Sequence, residues 1–203
     1  MAQTTSIVLL DRLDALDGES YDVEAFIIDI KTAAKARTVE ERVVSVQRVL
    51  VDACLNHHGF LPERFLRPSE GGTYARRPLY IDPHGRISVL VMVWDRGQGT
   101  PLHNHGGEWV VECLYEGKMR VTNFELLSET DGRCLFEQGD TLHALPGDAS
   151  YRIPPHEHHI LESDQDEPSV TIHVFGGLMQ RCDIFESLDH GYRRVPKELI
   201  YTP

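Results

Sequence analysis

The sequence predicts a mainly β protein: a small jelly-roll barrel with N-terminal α-helices packed on it. Before about residue 70, apolar residues recur at the spacing of amphipathic helices. After that point, short β-branched and aromatic runs alternate with turn residues, which is typical of a sandwich or a small barrel. With 203 residues, 41% of them hydrophobic, the chain suits one domain with its own core. We therefore predict a helical segment at residues 1–69 and a barrel with a C-terminal extension at 70–203, forming one compact unit.

Two helices are predicted in the first segment. The first is indicated by apolar residues at i, i+3, i+4 and i+7, namely Val23, Phe26, Ile27 and Ile30. The second begins at Thr38, because Glu41 three residues later completes a capping box. It ends between residues 56 and 59. Neither helix carries a chemical motif, so both are expected to pack against a sheet.

The barrel strands are predicted from short apolar runs bounded by turn residues. These runs cover residues 79–81, 87–94, 109–114, 118–126, 141–145, 149–153 and 170–175. The segment 82–85 and the Asp131-Gly132 pair are predicted turns. The tail, residues 189–203, is predicted to be a loosely attached extension.

Composition argues against several classes of partner and location. The formal net charge of −12 repels phosphate backbones and anionic lipid, so neither nucleic acid nor membrane is an expected partner. No apolar run reaches the roughly 18 residues of a membrane span, and the N-terminus lacks the basic start of a signal peptide. The four cysteines form no CxxC pair and are expected to be reduced, buried thiols of a cytoplasmic protein.

The histidines are the most informative feature of the composition. The chain has 11, and six of them lie close together in sequence: His103, His105, His156, His158, His159 and His173. Histidine is the commonest metal ligand. Residues at i and i+2 of a strand point to the same side, so the imidazoles of His103 and His105 could reach one ion at about 2.0–2.2 Å.

The order of these residues resembles the two motifs of cupins. Gly97, five further residues, the His103-x-His105 pair, a β run and a closing glycine match the first motif. A proline, a turn and a third histidine match the second. The resemblance implies a double-stranded β-helix, with His159 as the third metal ligand. His156 and His158 remain rivals for that role, because the spacing before Pro154 is one residue longer than usual.

Many cupins place a fourth ligand five residues after the second histidine, where this chain has Val110. Glu108 and Glu112 flank that position, but a one-residue shift turns a side chain to the other face of a strand. We therefore predict a neutral face of three histidines with open coordination positions. Imidazoles bind Fe, Zn, Cu and Ni alike, so the ligands alone do not select the metal.

Between residues 70 and 186 the sequence resembles the cysteine dioxygenase family of thiol dioxygenases. The matching segments, in order, are 74–77, 102–105, 158–160 and 169–175. The resemblance implies a three-histidine Fe(II) centre that inserts both atoms of O2 into a substrate thiolate. Arg76, in the same segment as Tyr74, corresponds to the arginine that holds the substrate carboxylate, and the neighbouring Arg77 competes for this role.

The segment 169–175 corresponds to the strand that carries the family's Ser-His-Tyr relay, and this implies a proton-handling role for His173 with Thr171. The chain departs from the family at two positions: Phe175 replaces the relay tyrosine, and Val110 replaces the crosslinked cysteine of animal members. Strand alternation independently places Thr171, His173 and Phe175 on one face, with an aliphatic face opposite. We expect the first face to line the cavity, with Phe175 among the substrate contacts, and the second to lie beneath the helices.

The resemblance thus implies an iron-dependent thiol dioxygenase that uses O2 to oxidise a small thiol acid, of the cysteine or 3-mercaptopropionate type, to its sulfinic acid. Phe175 favours an alternative, another three-histidine cupin dioxygenase or a metal isomerase. A non-catalytic cupin that binds a small ligand and a purely structural barrel are further alternatives. No pattern in the sequence indicates an oligomeric state.

Overall fold

The structure, a computed structural model, describes residues 21–164 and 166–203. The signal-peptide prediction and the first part of the predicted helical segment lie outside the described residues. The helices are α1 (Val23–Ala33), α2 (Val39–Asn56) and a short 3-10 helix (Glu63–Phe65). The strands are β1 (Ala75–Ile81), β2 (Ser88–Trp94), β3 (Leu102–His103), β4 (Val110–Glu116), β5 (Met119–Thr130), β6 (Arg133–Ala144), β7 (Ala149–Arg152), β8 (His159–Ser163), β9 (Ser169–Phe175), β10 (Arg181–Ser187) and β11 (Tyr192–Glu198).

Both predicted helices are confirmed, together with the cap of the second. The Glu41 amide donates to the Thr38 hydroxyl at 3.1 Å, and the Thr38 amide donates to the Glu41 carboxylate at 3.1 Å. This capping box satisfies amides that the first helical turn leaves unpaired. Among the described residues, no helix is long and apolar enough to cross a membrane.

One layer of the barrel is a five-stranded sheet in the order β1-β2-β9-β4-β7. Its outer face packs against α1 and α2, and alternate residues of the central strands supply the contact: Val89, Val91, Val111, Cys113, Ile172 and Val174 meet Phe26, Ile30, Val43 and Leu50. The aliphatic face predicted for β9 therefore lies beneath the helices, as expected. The intervening residues of β9 face the barrel interior, because strand side chains alternate.

The other six strands close on themselves in the order β10-β11-β6-β5-β8-β3. A long hairpin dominates this layer, and its turn is the predicted Asp131-Gly132 pair, with φ of 52° and 74°. Asp-Gly tolerates the positive φ at both positions that a two-residue hairpin turn requires. The hairpin strands are longer than predicted, since β5 runs to Thr130 and β6 begins at Arg133.

The prediction of a loosely attached tail is wrong. All seven residues of β11 pair with β10, and Tyr192 and Arg193 also pair with β6. Beyond β11, the Thr202 amide donates to the Arg76 carbonyl at 2.8 Å, and the Arg76 amide donates to the Thr202 hydroxyl at 2.9 Å. The strand was missed because charged residues and a proline obscure its alternation.

The arrangement is the double-stranded β-helix of cupins, with two helices packed on one sheet, and it confirms the predicted fold class. The four cysteines are buried and unbridged, as predicted. The fold places the inner faces of β2, β4 and β9 opposite β3 and β8, so the chemistry-bearing side chains of separate sequence segments meet inside the barrel.

Candidate metal centre

His103 and His159 meet because their strands pair. They are directly opposed in the antiparallel register of β3 and β8, and their Nε2 atoms lie 3.2 Å apart. Two ligands bound about 2.1 Å from one ion, at angles between octahedral and tetrahedral, are roughly 3.0–3.4 Å apart. The observed separation therefore suits two imidazoles that share a cation.

His105 joins them from a loop rather than from a strand. Because β3 ends at His103, the prediction that both histidines lie on one strand is wrong for the second. The Glu157 carboxylate holds His105 in place, accepting from its backbone amide at 2.7 Å and lying 3.5 Å from its Nδ1. One nitrogen from each of His103, His105 and His159 lies within 4.8 Å of the others. A carboxylate behind a ligating imidazole is a common means of orienting it.

The protonation states of these imidazoles fit a cation. Burial, with the neighbouring His105, lowers the pKa of His103 to about 3. Burial and Arg152 lower the pKa of His159. At His103, the Pro101 carbonyl lies 3.1 Å from Nδ1, which favours a proton there and leaves the Nε2 lone pair free. His103 and His159 are therefore neutral imidazoles, the form of histidine that binds divalent metals.

A carboxylate that the sequence analysis set aside also faces this cluster. Glu112 lies two residues after Val110, so both occupy the inner face of β4. Its Oε1 is 3.6 Å from His159 Nε2 and 3.9 Å from His105 Nε2, and within the described part of the chain this oxygen accepts no hydrogen bond. The three predicted histidines come together, but the prediction that their surroundings are neutral is wrong, because a buried carboxylate lies beside the imidazoles.

The charge of Glu112 is stabilised by Arg152 on the neighbouring strand β7. Its Oε2 accepts from Arg152 Nη1 at 2.9 Å, and both side chains are buried. Burial opposes ionisation of the carboxyl, but Arg152 and His173 outweigh it and lower the pKa of Glu112 to about 2. The cluster therefore carries a fixed negative charge on its inner side, next to a fixed positive one.

His173 connects this carboxylate to a chain of hydroxyl and indole groups. It is paired with Glu112 in the register of β9 and β4, and its Nδ1 lies 3.3 Å from Glu112 Oε1. Its Nε2 lies 2.8 Å from the Thr171 hydroxyl, which accepts from the Trp94 indole at 2.9 Å. An ionised carboxylate only accepts, so the contact favours a proton on Nδ1 and leaves Nε2 to accept from Thr171.

A buried arginine shares a cavity with two of the three clustered histidines, His103 and His105. Arg76 lines it together with Tyr74 and Phe175, and the cavity holds about 40 Å³. The guanidinium donates to the carbonyls of Met179 and Ile200 at 3.3 and 3.2 Å. In the described part of the chain, no carboxylate forms an ion pair with it, and burial lowers its pKa. A buried cation without a counter-ion, facing a cavity, attracts an anionic group.

The remaining predicted residues are placed as follows. Tyr74 stacks on Trp94, with ring centroids 4.3 Å apart. Phe175 stacks on His173 at 5.8 Å and presents an apolar ring where a tyrosine hydroxyl would lie. Arg77, the rival of Arg76, donates to the carbonyls of Arg67 and Pro203 and does not line the cavity.

The two rivals of His159 lie outside the cluster. His156 is exposed. His158 is buried, with ring centroids 5.0 Å from Phe136 and 5.2 Å from Phe185. Of the three histidines after Pro154, His159 alone brings a ring nitrogen to His103 and His105.

The lowered histidine pKa values predict acid sensitivity of the metal-free protein. Unfolded histidines titrate near pH 6.5. Below pH 6.5 the unfolded chain binds protons that the folded chain does not. The unfolding free energy is therefore highest above that pH and falls as the pH decreases below it. Between pH 7.5 and 5.5, we expect the unfolding free energy to fall by roughly 1.4 kcal/mol for each such histidine. Urea denaturation at the two pH values measures this loss, and a His103→Gln variant should show a smaller one. Equal losses in both proteins would contradict the prediction.

The sequence analysis missed Glu112, Arg152, Trp94 and Glu157. Counting two residues on from Val110 could have found Glu112, because that step keeps the strand face. No local signal indicates the other three, since Arg152 and Trp94 reach the site by strand pairing and Glu157 by a loop.

Comparisons with known proteins give two kinds of similarity. No family model matches the chain. Cysteine dioxygenase type 1 of Rattus norvegicus and of Mus musculus are each 21% identical to it over 127 residues, 59% of this chain and 62% of theirs. The chain thus spans about three-fifths of the length of these curated relatives.

Similar solved structures include proteins of varied description. An uncharacterised protein with a double-stranded β-helix domain from Klebsiella pneumoniae has a TM-score of 0.45 and 18% identity, covering 60% of this chain and 86% of that one. The oxalate decarboxylase of Lactobacillus farciminis, in a formate complex, has a TM-score of 0.43 and 22% identity, covering 57% and 32%. The fold assignment rests on the strand order described above.

Proposed function

We propose that the protein is a non-haem Fe(II) dioxygenase that oxidises the thiol of a small acid, of the cysteine or 3-mercaptopropionate type, to a sulfinic acid. One observation carries this proposal: Arg76, which is buried and forms no ion pair with a carboxylate of the described residues, lines the same cavity as His103 and His105 of the three-histidine cluster. The sequence similarity to cysteine dioxygenases of rat and mouse supports the choice of reaction.

The net reaction is R–SH + O2 → R–SO2H. The O–O bond breaks and two S–O bonds form, so sulfur loses the four electrons that dioxygen gains, and the thiol proton ends on the sulfinic acid. Bound Fe(II) supplies the redox chemistry and favours the thiolate form of the substrate. His103, His105 and His159 are the residues that would hold it.

The protein's contribution is to bind and orient the acid. Arg76 presents a planar fork of donors that suits a carboxylate, and its hydrogen bonds to Met179 and Ile200 fix its direction. When Arg76 anchors the carboxylate, the other end of the acid points toward the imidazoles. The reacting groups are then held in place and need not meet by diffusion.

Proton handling is assigned to His173 and Thr171. Thr171 holds one ring nitrogen of His173 and the Glu112 carboxylate faces the other, so the two groups fix the orientation of the imidazole that handles protons. Glu112 thereby takes the place of a polar partner that Phe175 cannot provide. Tyr74 and Phe175 form apolar cavity walls that exclude water. We also propose a cytoplasmic location, which the unbridged cysteines support.

The proposal is tested by oxygen uptake of protein reconstituted anaerobically with Fe(II). Cysteine and 3-mercaptopropionate carry a carboxylate, and cysteamine does not. We expect uptake with one or both acids, one O2 consumed for each sulfinate formed, and little uptake with cysteamine. Iron-loaded protein that turns over no thiol acid would overturn the proposal.

Glu112 favours a second candidate, a cupin dioxygenase of a different substrate or a metal isomerase. A carboxylate at 3.6 and 3.9 Å from two of the imidazoles adds negative charge that a neutral three-histidine face lacks. Oxygen uptake with a diketone and none with thiols would select this dioxygenase. Turnover of a sugar phosphate without oxygen would select the isomerase.

The Glu112–Arg152 pair gives a prediction about stability. Replacing Glu112 by glutamine leaves the Arg152 guanidinium buried without its counter-ion, which typically costs about 3–5 kcal/mol. We expect Glu112→Gln to lower the unfolding free energy of the metal-free protein by about that amount. The double variant Glu112→Leu/Arg152→Met removes both charges and should recover most of the loss. Urea denaturation of both variants checks this, and a single variant as stable as the wild type would refute it.

A further inference from the structure

The barrel contains a second cavity, of about 50 Å³, which has no role in the reaction as proposed above. Apolar side chains from both layers of the barrel form most of its lining: Leu114, Met119, Val121, Leu142, Ala144 and Leu161. We call it the apolar chamber. Most of these residues also form a packed cluster with Met92 and Trp94, so the walls of the chamber belong to the core.

The apolar chamber lies against the cavity that Arg76, His103 and His105 line. Glu112, Leu161 and His173 line both spaces. The two cavities are therefore separated by a single layer of residues, and two of these residues are in contact with each other at 3.3 Å. A small molecule in the chamber is one side-chain layer from the imidazoles.

The two cavities differ in charge. Arg76 and Lys197 line the cavity of the histidines, which suits an anion. The rim of the apolar chamber instead carries Asp148, His143 and Ser150. The Asp148 carboxylate already accepts from the Leu145 amide at 2.8 Å, so it stays fixed there as an acceptor. Asp148 disfavours an anionic substrate in the chamber, whereas Arg76 and Lys197 attract one to the other cavity.

Apolar side chains form most of the lining, which favours a small apolar occupant. A buried water needs two to four polar partners, and an apolar cavity that lacks them stays dry and takes up apolar guests such as xenon. The chamber, of about 50 Å³, has room for a diatomic gas.

We infer that the apolar chamber binds dioxygen and delivers it to the three-histidine cluster through the layer formed by Glu112, Leu161 and His173. The identity of the gas rests on the proposed dioxygenase function, whereas the existence of the binding site rests on the chamber alone. Dioxygen and the thiol acid then reach the same centre by separate routes, so bound substrate does not block the gas.

The first arm of the test measures gas binding without activity. Metal-free protein is titrated with xenon and followed by 129Xe NMR. We expect a saturable shift in the wild type that is lost in Ala144→Phe, whose ring fills the chamber. Leu127→Phe is the matched control, because Leu127 is 60% exposed and does not line the chamber. Leu142→Phe serves as a second filling variant if Ala144→Phe fails to fold.

The second arm measures kinetics of the iron-loaded protein. We expect a filling variant to raise KM for O2 at least tenfold while KM for the thiol acid stays within twofold, and Leu127→Phe to change neither. Absence of xenon binding in the wild type, or loss of xenon without a change in KM for O2, would overturn the inference. Xenon binding in a protein that consumes no oxygen with any thiol would support the binding site and overturn the proposed function.

Discussion

Replacing His159 by alanine is expected to lower the affinity for iron at least about 100-fold and to abolish oxygen uptake. Substitutions of groups that merely orient a ligand cost 10–100-fold in metal affinity, and His159 is itself a proposed ligand. Its Nε2 lies 3.2 Å from that of His103, so its loss leaves two imidazoles and opens the inner side of the site. Competition with a coloured chelator measures the affinity, and total metal analysis measures occupancy.

Two neighbouring histidines provide controls for this experiment. His156→Ala removes an exposed imidazole three residues away and should leave metal binding unchanged. His158→Ala removes a buried ring that packs on Phe136 and Phe185, so it should cost stability and keep the metal. If His158→Ala released the metal and His159→Ala retained it, the assignment of the third ligand would be wrong.

Replacing Arg76 by methionine is expected to lower kcat/KM for thiol acids about 100-fold, which corresponds to roughly 2.7 kcal/mol of transition-state stabilisation. A loss of this size is expected when a hydrogen-bonded charge pair is removed from a buried site. Cysteamine has no carboxylate for Arg76 to bind, so its weak turnover should change little. Arg76→Lys keeps the charge and loses the fork, so it should recover only part of the loss.

Arg77→Met is the matched control for the arginine experiment. Arg77 is the next residue on β1 and is also buried, but its guanidinium donates to the carbonyls of Arg67 and Pro203 outside the cavity. We expect Arg77→Met to lower stability and to leave KM for the acid unchanged. Equal losses of kcat/KM in the two variants, or equal losses for acids and cysteamine, would show that Arg76 acts through the fold alone.

Much of the fold could be predicted from local sequence patterns. The Thr38–Glu41 capping box and the Asp131-Gly132 turn are short-range signals, and the structure places both where the sequence indicated. The alternation in β9 correctly placed its aliphatic face beneath the helices, because one side of that strand meets a buried surface. In β11 both faces carry charged residues, so alternation gave no such signal, and pairing with β10 decides its place.

The site was predictable to the extent that its residues follow a fixed spacing. His103, His105 and His159 could be nominated because two short motifs contain them, and the structure brings their nitrogens together. Glu112 was set aside as if a one-residue shift separated it from the face of Val110. It lies two residues further along β4, and such residues share a strand face, so both occupy the inner face. Arg152 could not be predicted, because its contact with Glu112 joins two strands and the two residues are 40 positions apart in sequence.

The most direct test of the account is the iron content and ligand environment of purified protein loaded with Fe(II). Iron titration with total metal analysis gives the stoichiometry, and X-ray absorption spectroscopy at the iron edge gives the ligands. The account predicts one iron for each chain, bound by three imidazoles, and loss of that iron when His103, His105 and His159 are all replaced by alanine. Substoichiometric iron with no imidazole scattering, or iron retained by the triple variant, would contradict it.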